Sequence, residues 1–217
     1  MSRIAIIGGH GKVALRLARL LAGRGDEVDS FIRNPDHSAD VEATGATAVV
    51  ADVENLTTEQ MAQLFRGHDA VVWSAGAGGG NPARTYAVDR DAAIRSMDAA
   101  AAAGVRRYVM VSALNTRPDH GVAPDNPYFP YAESKAAADA HLLGTDLDWT
   151  ILGPGMLTLD PGTGKIAVGG DIQRSDVTRD DVAAVAAEVL ATPGTAGKTI
   201  GFNNGDTPIA EAIRGLT

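Results

Sequence analysis

Short apolar runs that show no polar–apolar alternation recur along this chain, and between them lie segments with helical spacing. The runs are Arg3–Ile7, Glu27–Ile32, Ala46–Ala51, Ala70–Ser74, Tyr108–Ser112, Trp149–Leu152 and Thr199–Phe202. The helix-like segments are Lys12–Ala22, Thr58–Phe65, Ala83–Ala103, Tyr131–Leu143 and Arg179–Leu190. A strand with no polar face is buried on both sides, which is the condition of a parallel sheet covered by helices. The alternation therefore predicts an α/β fold, a doubly wound parallel sheet of Rossmann-like type, in one domain spanning residues 1–217. The stretch DAAIRSMDAAAAAG reads as a well-formed helix that stops at Gly104.

Two long segments break the rhythm. Leu114–Pro130 carries four prolines, and Gly153 to about Asp176 contains GPG, PGTG and GG. Both follow strands, so both are expected as loops at the carboxyl edge of the sheet, where ligands bind in such folds. Long loops in a compact domain are more often functional than idle.

After the first strand comes GGHGKVA, with Gly8, Gly11 and Ala14 spaced G-x-x-G-x-x-A. The first glycine permits a tight turn, the next lets backbone N–H groups approach a pyrophosphate, and the small third residue packs the helix on the sheet. The helix N-terminus then adds unpaired N–H groups and a partial positive charge. Gly8, Gly9, His10, Gly11, Lys12 and Val13 are the expected phosphate cradle; a glycine-rich turn with no ligand is the competing reading. At the tip of the second strand stands Arg33, where an acidic residue would suit the ribose of NAD(H). An Arg binds phosphate bidentately, and His10 adds a second basic group, so the expected cofactor is NADP(H) rather than NAD(H). The competing reading of Arg33 is a solvated turn residue.

The net charge of −8 argues against nucleic acid as a partner, since affinity for its backbone comes from clustered Lys and Arg. The chain has no cysteine, which excludes disulfides, thiolate metal sites and a cysteine nucleophile. No apolar stretch reaches the roughly 18 residues of a membrane span, and the sequence opens directly on a strand, so no membrane association and a cytoplasmic location are expected. GTAGKT and PGTGKI lack the glycine or the hydroxyl residue of a nucleotide-binding P-loop. The histidines show no metal spacing; His37, His68 and His120 are expected at the surface and His141 on a helix exterior. Trp73 and Trp149 are expected in the core or a pocket wall. TPIAEAIRGL reads as a capped helix closing the fold.

Tyr131 and Lys135, spaced i and i+4, share one face of a helix. A cation beside the phenol is expected to lower its pKa and make it a proton donor or acceptor. The competing reading is a surface pair with Tyr131 packed and Lys135 solvated.

Together GGHGKVA, FIRN, VVWSAG, AVDRDAA, RRYVMVSA, YAESK, LDWTILGPG and TPIAEAI resemble the atypical short-chain dehydrogenase/reductases, in particular their small NAD(P)H-binding, epimerase-like subgroup, over nearly the whole chain. Biliverdin-reductase-B and flavin-reductase-like proteins are more distantly similar. The resemblance implies adenine contacts from Asp52 and Val53, and a lining of the central cofactor by Ser74, Ala75 and Gly76. It also implies a carbonyl-orienting serine at Ser112, the Y-x-x-x-K pair at Tyr131 and Lys135, and a cofactor contact at Pro154. Where the family often has Asn, this chain has Asp89, which either pairs with Lys135 or caps its own helix. Gly153 stands where related sequences usually carry Arg, and the separation of Ser112 from Tyr131 exceeds the usual dozen or so residues. The activity implied is hydride transfer between NADPH and a small carbonyl, quinone-like or flavin-like acceptor. A sensor that reports NADP(H) to a partner is the alternative; nucleotide-sugar epimerisation is disfavoured by the short C-terminal portion.

Overall fold

The computed structural model describes residues 1–169 and 172–217. Its strands are β1 (Arg3–Ile7), β2 (Glu27–Ile32), β3 (Thr47–Val50), β4 (Ala70–Trp73), β5 (Arg107–Val111), β6 (Asp148–Pro154), β7 (Met156–Thr158), β8 (Lys165–Val168), β9 (Asp176–Thr178), β10 (Lys198–Asn204) and β11 (Thr207–Pro208). The helices are α1 (Lys12–Gly23), α2 (Ser38–Glu42), α3 (Thr58–Phe65), α4 (Pro82–Thr85), α5 (Ala93–Ala103), α6 (Phe129–Leu143), α7 (Arg179–Ala191) and α8 (Ile209–Arg214).

One sheet of nine strands runs in the order β11-β8-β10-β6-β5-β4-β1-β2-β3. From β10 to β3 every neighbouring pair is parallel. The run is the doubly wound arrangement expected from the sequence, with the order reversing at β1. Alternate residues of each strand feed two separate cores. Ile4 and Ile6 of β1 join Leu17 and Leu21 of α1 and Val182, Val185 and Val189 of α7 on one face. Ala5 and Ile7 join Phe65 of α3, Met97 of α5 and Leu142 of α6 on the other. Helices on both faces explain why the strands read as unbroken apolar runs.

Four expectations need correction. The segment from Gly153 to Asp176, expected as a loop, begins inside β6 and contains β7, β8 and the start of β9; residues 170 and 171 lie outside the described residues. Strand β8 pairs antiparallel with β10 and β11, and β7 pairs with β9 in a second sheet of two strands. These strands are three or four residues long, too short to show a period. The helix expected over Ala83–Ala103 is broken into α4, a π-helical stretch over Tyr86–Ala92, and α5, which ends at a left-handed Gly104. The C-terminal helix forms but starts from Pro208 with no side-chain cap. His68 is buried, its ring between Asp29 at 3.0 Å and the Phe65 carbonyl at 3.0 Å, because both ring nitrogens find partners there. Trp73 is fully buried in the core.

Among the described residues no helix is long and apolar enough to cross a membrane, and no group of His, Cys, Asp and Glu is arranged to hold a metal ion.

The corner between β6 and β7 turns on Gly155. A Cβ there would lie 2.1 Å from the Asn203 side-chain oxygen and 2.1 Å from the Ser175 carbonyl. Both neighbours are polar atoms on ordered backbone or a buried side chain, so neither can yield cheaply. Gly155→Ala is expected to destabilise the fold by about 1–3 kcal/mol, measured by urea unfolding, whereas Gly23→Ala, whose Cβ would meet no atom within 4 Å, is expected to cause no such loss.

Candidate functional site

The turn after β1 is built around close backbone contacts. Gly8 adopts φ +80°, and a Cβ on it would sit 2.6 Å from the Ala75 Cα, at the end of β4. Gly9 lies as tightly against Ser30 of β2, at 2.6 Å from its Cβ, and donates its N–H to the Phe31 carbonyl at 2.9 Å. Gly11 begins α1 with no side-chain cap and donates to the Gly8 carbonyl at 2.7 Å. The first N–H groups of α1 therefore face a concave surface with no side chain over them, a geometry suited to an anion.

That surface is the floor of a cavity of about 270 Å³ lined by Gly8, His10, Gly11, Arg33, Asp52, Val53, Ser74, Ala75 and Gly76, with Glu54, His37 and Arg84 beside them. Nine residues singled out from the sequence thus share one cleft at the carboxyl ends of β1 to β4. Gly9, Lys12 and Val13 do not line it: Gly9 packs on β2, Lys12 is exposed and Val13 is buried in the core. Asp52 turns its own loop, accepting from the Glu54 N–H at 3.2 Å and the Asn55 amide at 2.8 Å. Glu54 draws in Arg33 at 3.5 Å and Arg84 at 3.2 Å. His10 stacks on His37 with ring centroids 3.7 Å apart and bonds Asp40 at 2.9 Å. His37, expected at the surface, is thus a wall of this cleft.

Behind the cleft lies a buried charged cluster. Lys135 of α6 is 3 % exposed; its ammonium donates to the Val111 carbonyl at 3.2 Å and lies 3.8 Å from an Asp89 oxygen. Asp89, 1 % exposed, accepts the Ala77 N–H at 2.9 Å with its other oxygen. The π-helical stretch carries this carboxylate inward, since the extra residue per turn rotates one position toward the sheet. Pairing with Lys135, rather than exposure on its own helix, is the arrangement found. One Asp89 oxygen has no hydrogen-bond partner.

Ser112, at the end of β5, donates its hydroxyl proton to Asp139 at 2.6 Å. Asp139 sits one turn beyond Lys135 on α6 and was not singled out from the sequence, although the i, i+4, i+8 spacing of Tyr131, Lys135 and Asp139 is visible there. Burial raises its carboxyl to about 6, against the opposing pull of the Ser112 hydrogen bond and the Lys135 charge. Tyr131 departs from expectation as well. Burial pushes its phenol above the ordinary tyrosine range, with the nearby Tyr128 and Asp89 acting the same way and Arg174 opposing. The Lys135 ammonium lies 5.8 Å from the Tyr131 ring centroid and is directed to the Val111 carbonyl and Asp89, so it does not acidify the hydroxyl. The phenol stays protonated at neutral pH and is a donor in form.

Ser112, Tyr131 and Pro154 open onto a second cavity, of about 670 Å³, walled by Asn81, Thr85, Asn126, Tyr128, Leu157 and Arg174. The proline-rich segment Leu114–Pro130, whose last two residues belong to α6, and the region around β7 both contribute to this wall. Pro154 lies here and not in the smaller cleft. Gly153 is buried inside β6, where a Cβ would come 3.1 Å from the Ala113 carbonyl.

A glycine cradle at the turning point of a mostly parallel, Rossmann-like sheet defines an α/β protein of the dinucleotide-binding type. The match to an NAD(P)H-binding family model over residues 8–193 places it further: the chain belongs to that family. It is 36% identical over 217 residues to a Bacillus subtilis (strain 168) protein named uncharacterized sugar epimerase YhfK, covering 99% of this chain and 100% of that one. Two solved structures are similar throughout. A putative NAD-dependent epimerase/dehydratase from Bacillus halodurans has TM-score 0.90 and 35% identity, covering 99% of this chain and 100% of that one. The oxidoreductase ylbE from Lactococcus lactis has TM-score 0.88 and 31% identity, covering 99% and 96%.

The raised Asp139 carboxyl makes stability depend on pH in a defined direction. Between the unperturbed carboxyl value and about 6 the folded state holds a proton that the unfolded chain releases, so stability falls as pH rises through that window. Asp139→Asn keeps an acceptor for Ser112 and removes the charge. The variant is expected to match the parent near pH 4 and exceed it at pH 7.5 by on the order of 2–3 kcal/mol, measured by denaturant unfolding at both pH values.

Proposed function

We propose that the protein is an NADP(H)-dependent oxidoreductase acting on a small carbonyl, quinone-like or flavin-like acceptor. The observation that carries this reading is the glycine-floored cleft at the carboxyl ends of β1 to β4, accompanied by a larger chamber onto which Ser112 and Tyr131 open. The glycine cradle fits a dinucleotide: glycine at position 8 lets the turn seat against the backbone of Ala75, and the start of α1 is left without a side-chain cap where a pyrophosphate would bind. Gly8, Gly11 and the α1 N-terminus would hold the phosphates, Asp52 and Val53 the adenine, and Ser74 to Gly76 the centre. Arg33, His10, His37 and Arg84 supply positive or potentially positive groups for a 2′-phosphate. The nicotinamide, when bound, supplies hydride; the chain supplies orientation and the proton.

Within that division of labour Tyr131 donates a proton from its hydroxyl to the acceptor oxygen, the role its protonated state permits. Lys135 is paired with Asp89, and Asp139 fixes the Ser112 hydroxyl against the wall of the chamber. A sensing role is the second reading. It is favoured by the engagement of the Ser112 proton with Asp139, which leaves that hydroxyl less free to orient a carbonyl. The Bacillus subtilis relative is named a sugar epimerase, so a sugar is added to the panel of candidate substrates.

The test is NADPH oxidation across that panel. Tyr131→Phe is expected to lower kcat by about 10²-fold or more with the cofactor Kd unchanged; tight NADPH binding with no turnover of any acceptor supports sensing instead. Arg33→Ala is expected to weaken NADPH by roughly 10-fold or more while moving NADH less than about twofold, measured by calorimetry, and equal losses for both cofactors would overturn the NADP(H) preference.

A further inference from the structure

Arg174 stands on the wall of the 670 Å³ chamber and of a smaller adjoining cavity of about 140 Å³, and Tyr131 lines both. The only other charged residue on the chamber wall, among the described residues, is Asp125.

The backbone on either side of Arg174 is fastened by a single buried amide. Asn203, at the end of β10 and 5 % exposed, donates to the Gln173 carbonyl at 2.8 Å and accepts the Ser175 N–H at 3.0 Å. The Ser175 carbonyl in turn accepts the Met156 N–H at 2.9 Å, and Gly155 leaves room for the contact. Residues 173 and 175 are therefore tied to the main sheet and to β7, while the side chain between them is left exposed at the chamber. Backbone held this way fixes where a long flexible side chain starts, which lowers the entropy lost when its head engages a ligand.

We propose that Arg174 is the anchor for an anionic acceptor, and that the substrate class is a carbonyl compound bearing a carboxylate near the reducible carbon. The chamber wall carries one other charged residue, Asp125, among glycines, amides, prolines and tyrosines; an exposed guanidinium there is matched by a carboxylate, which it binds through two parallel N–H···O bonds. With the carboxylate held at Arg174, the neighbouring carbonyl oxygen falls toward the Tyr131 hydroxyl. A 2-oxo acid has this spacing of groups. The anchor also gives a protein of net charge −8 a local site of opposite sign for an anion.

This assignment rests on the reductase reading, and the test separates the two. The probes are benzoylformate and its methyl ester, which share a carbonyl and differ in charge. Turnover is followed by NADPH oxidation, and binding by calorimetry with NADP⁺ present. Because the ester is intrinsically more reactive, the quantity compared is the acid-to-ester ratio of kcat/KM, between the parent protein and each variant. Arg174→Ala is expected to lower that ratio, and the affinity for benzoylformate, about tenfold or more. Arg174→Lys is expected to retain part of both, and Arg117→Ala, a cation outside the chamber wall, to leave the ratio in place. A ratio and a benzoylformate affinity that change less than about twofold in Arg174→Ala would overturn the anchor, whatever the turnover. Charge-selective binding lost in Arg174→Ala, with neither probe reduced, upholds the anchor and counts against the reductase reading.

Discussion

The contact between Gly8 and Ala75 is the constraint from which the rest of the site follows. At a Cβ-to-Cα spacing of 2.6 Å no side chain fits on the first of these residues, so the β1–α1 turn and the end of β4 approach backbone to backbone. Gly9 repeats the arrangement against β2. With the turn seated this low, the N-terminus of α1 opens toward the carboxyl edge of the sheet, and the cleft between β1, β2 and β4 has a floor made of peptide groups. A floor of that kind suits phosphate better than any organic group, because its N–H donors are fixed and uncharged.

The buried cluster behind this floor obeys a different rule. Lys135 and Asp89 are both nearly inaccessible, and each is the other's ion-pair partner. Their hydrogen bonds to the Val111 carbonyl and the Ala77 N–H join α6 and the π-helical stretch to the ends of β5 and β4. Asp139 and Ser112 repeat that linkage one turn away along α6. The polar contacts thus fasten the two elements that flank the chamber to the strands that carry the cleft, so the cavities keep their relative position.

Much of this was legible in the sequence, and the parts that were not share a cause. Strands β1 and β2 and helix α3 fall on their expected residues because their signals are local: an apolar run, a glycine turn, a Thr57–Gln60 capping box. The cradle glycines and Arg33 were readable for the same reason, whereas Ser74 to Gly76 came from the family resemblance. The short strands β7, β8 and β9 were not, since pairing with distant partners, not propensity, makes them strands. Asp89 was readable as a candidate but its burial was not, because a π-helical stretch leaves no mark in residue spacing. Tyr131 was placed correctly beside Lys135, yet the direction of its pKa depends on how much water the fold removes from its hydroxyl. Arg174 had no local signal at all: its place is set by an amide on β10, nearly thirty positions further along the chain.

The amide of Asn203 has a consequence for how such a protein diverges. It grips main-chain atoms on both sides of position 174 and leaves the side chain between them out of the bargain. A new residue there alters what the chamber attracts while every hydrogen bond that shapes the chamber stays in place. Change of ligand and preservation of architecture are thus assigned to different atoms, and a lineage can explore the first without risking the second.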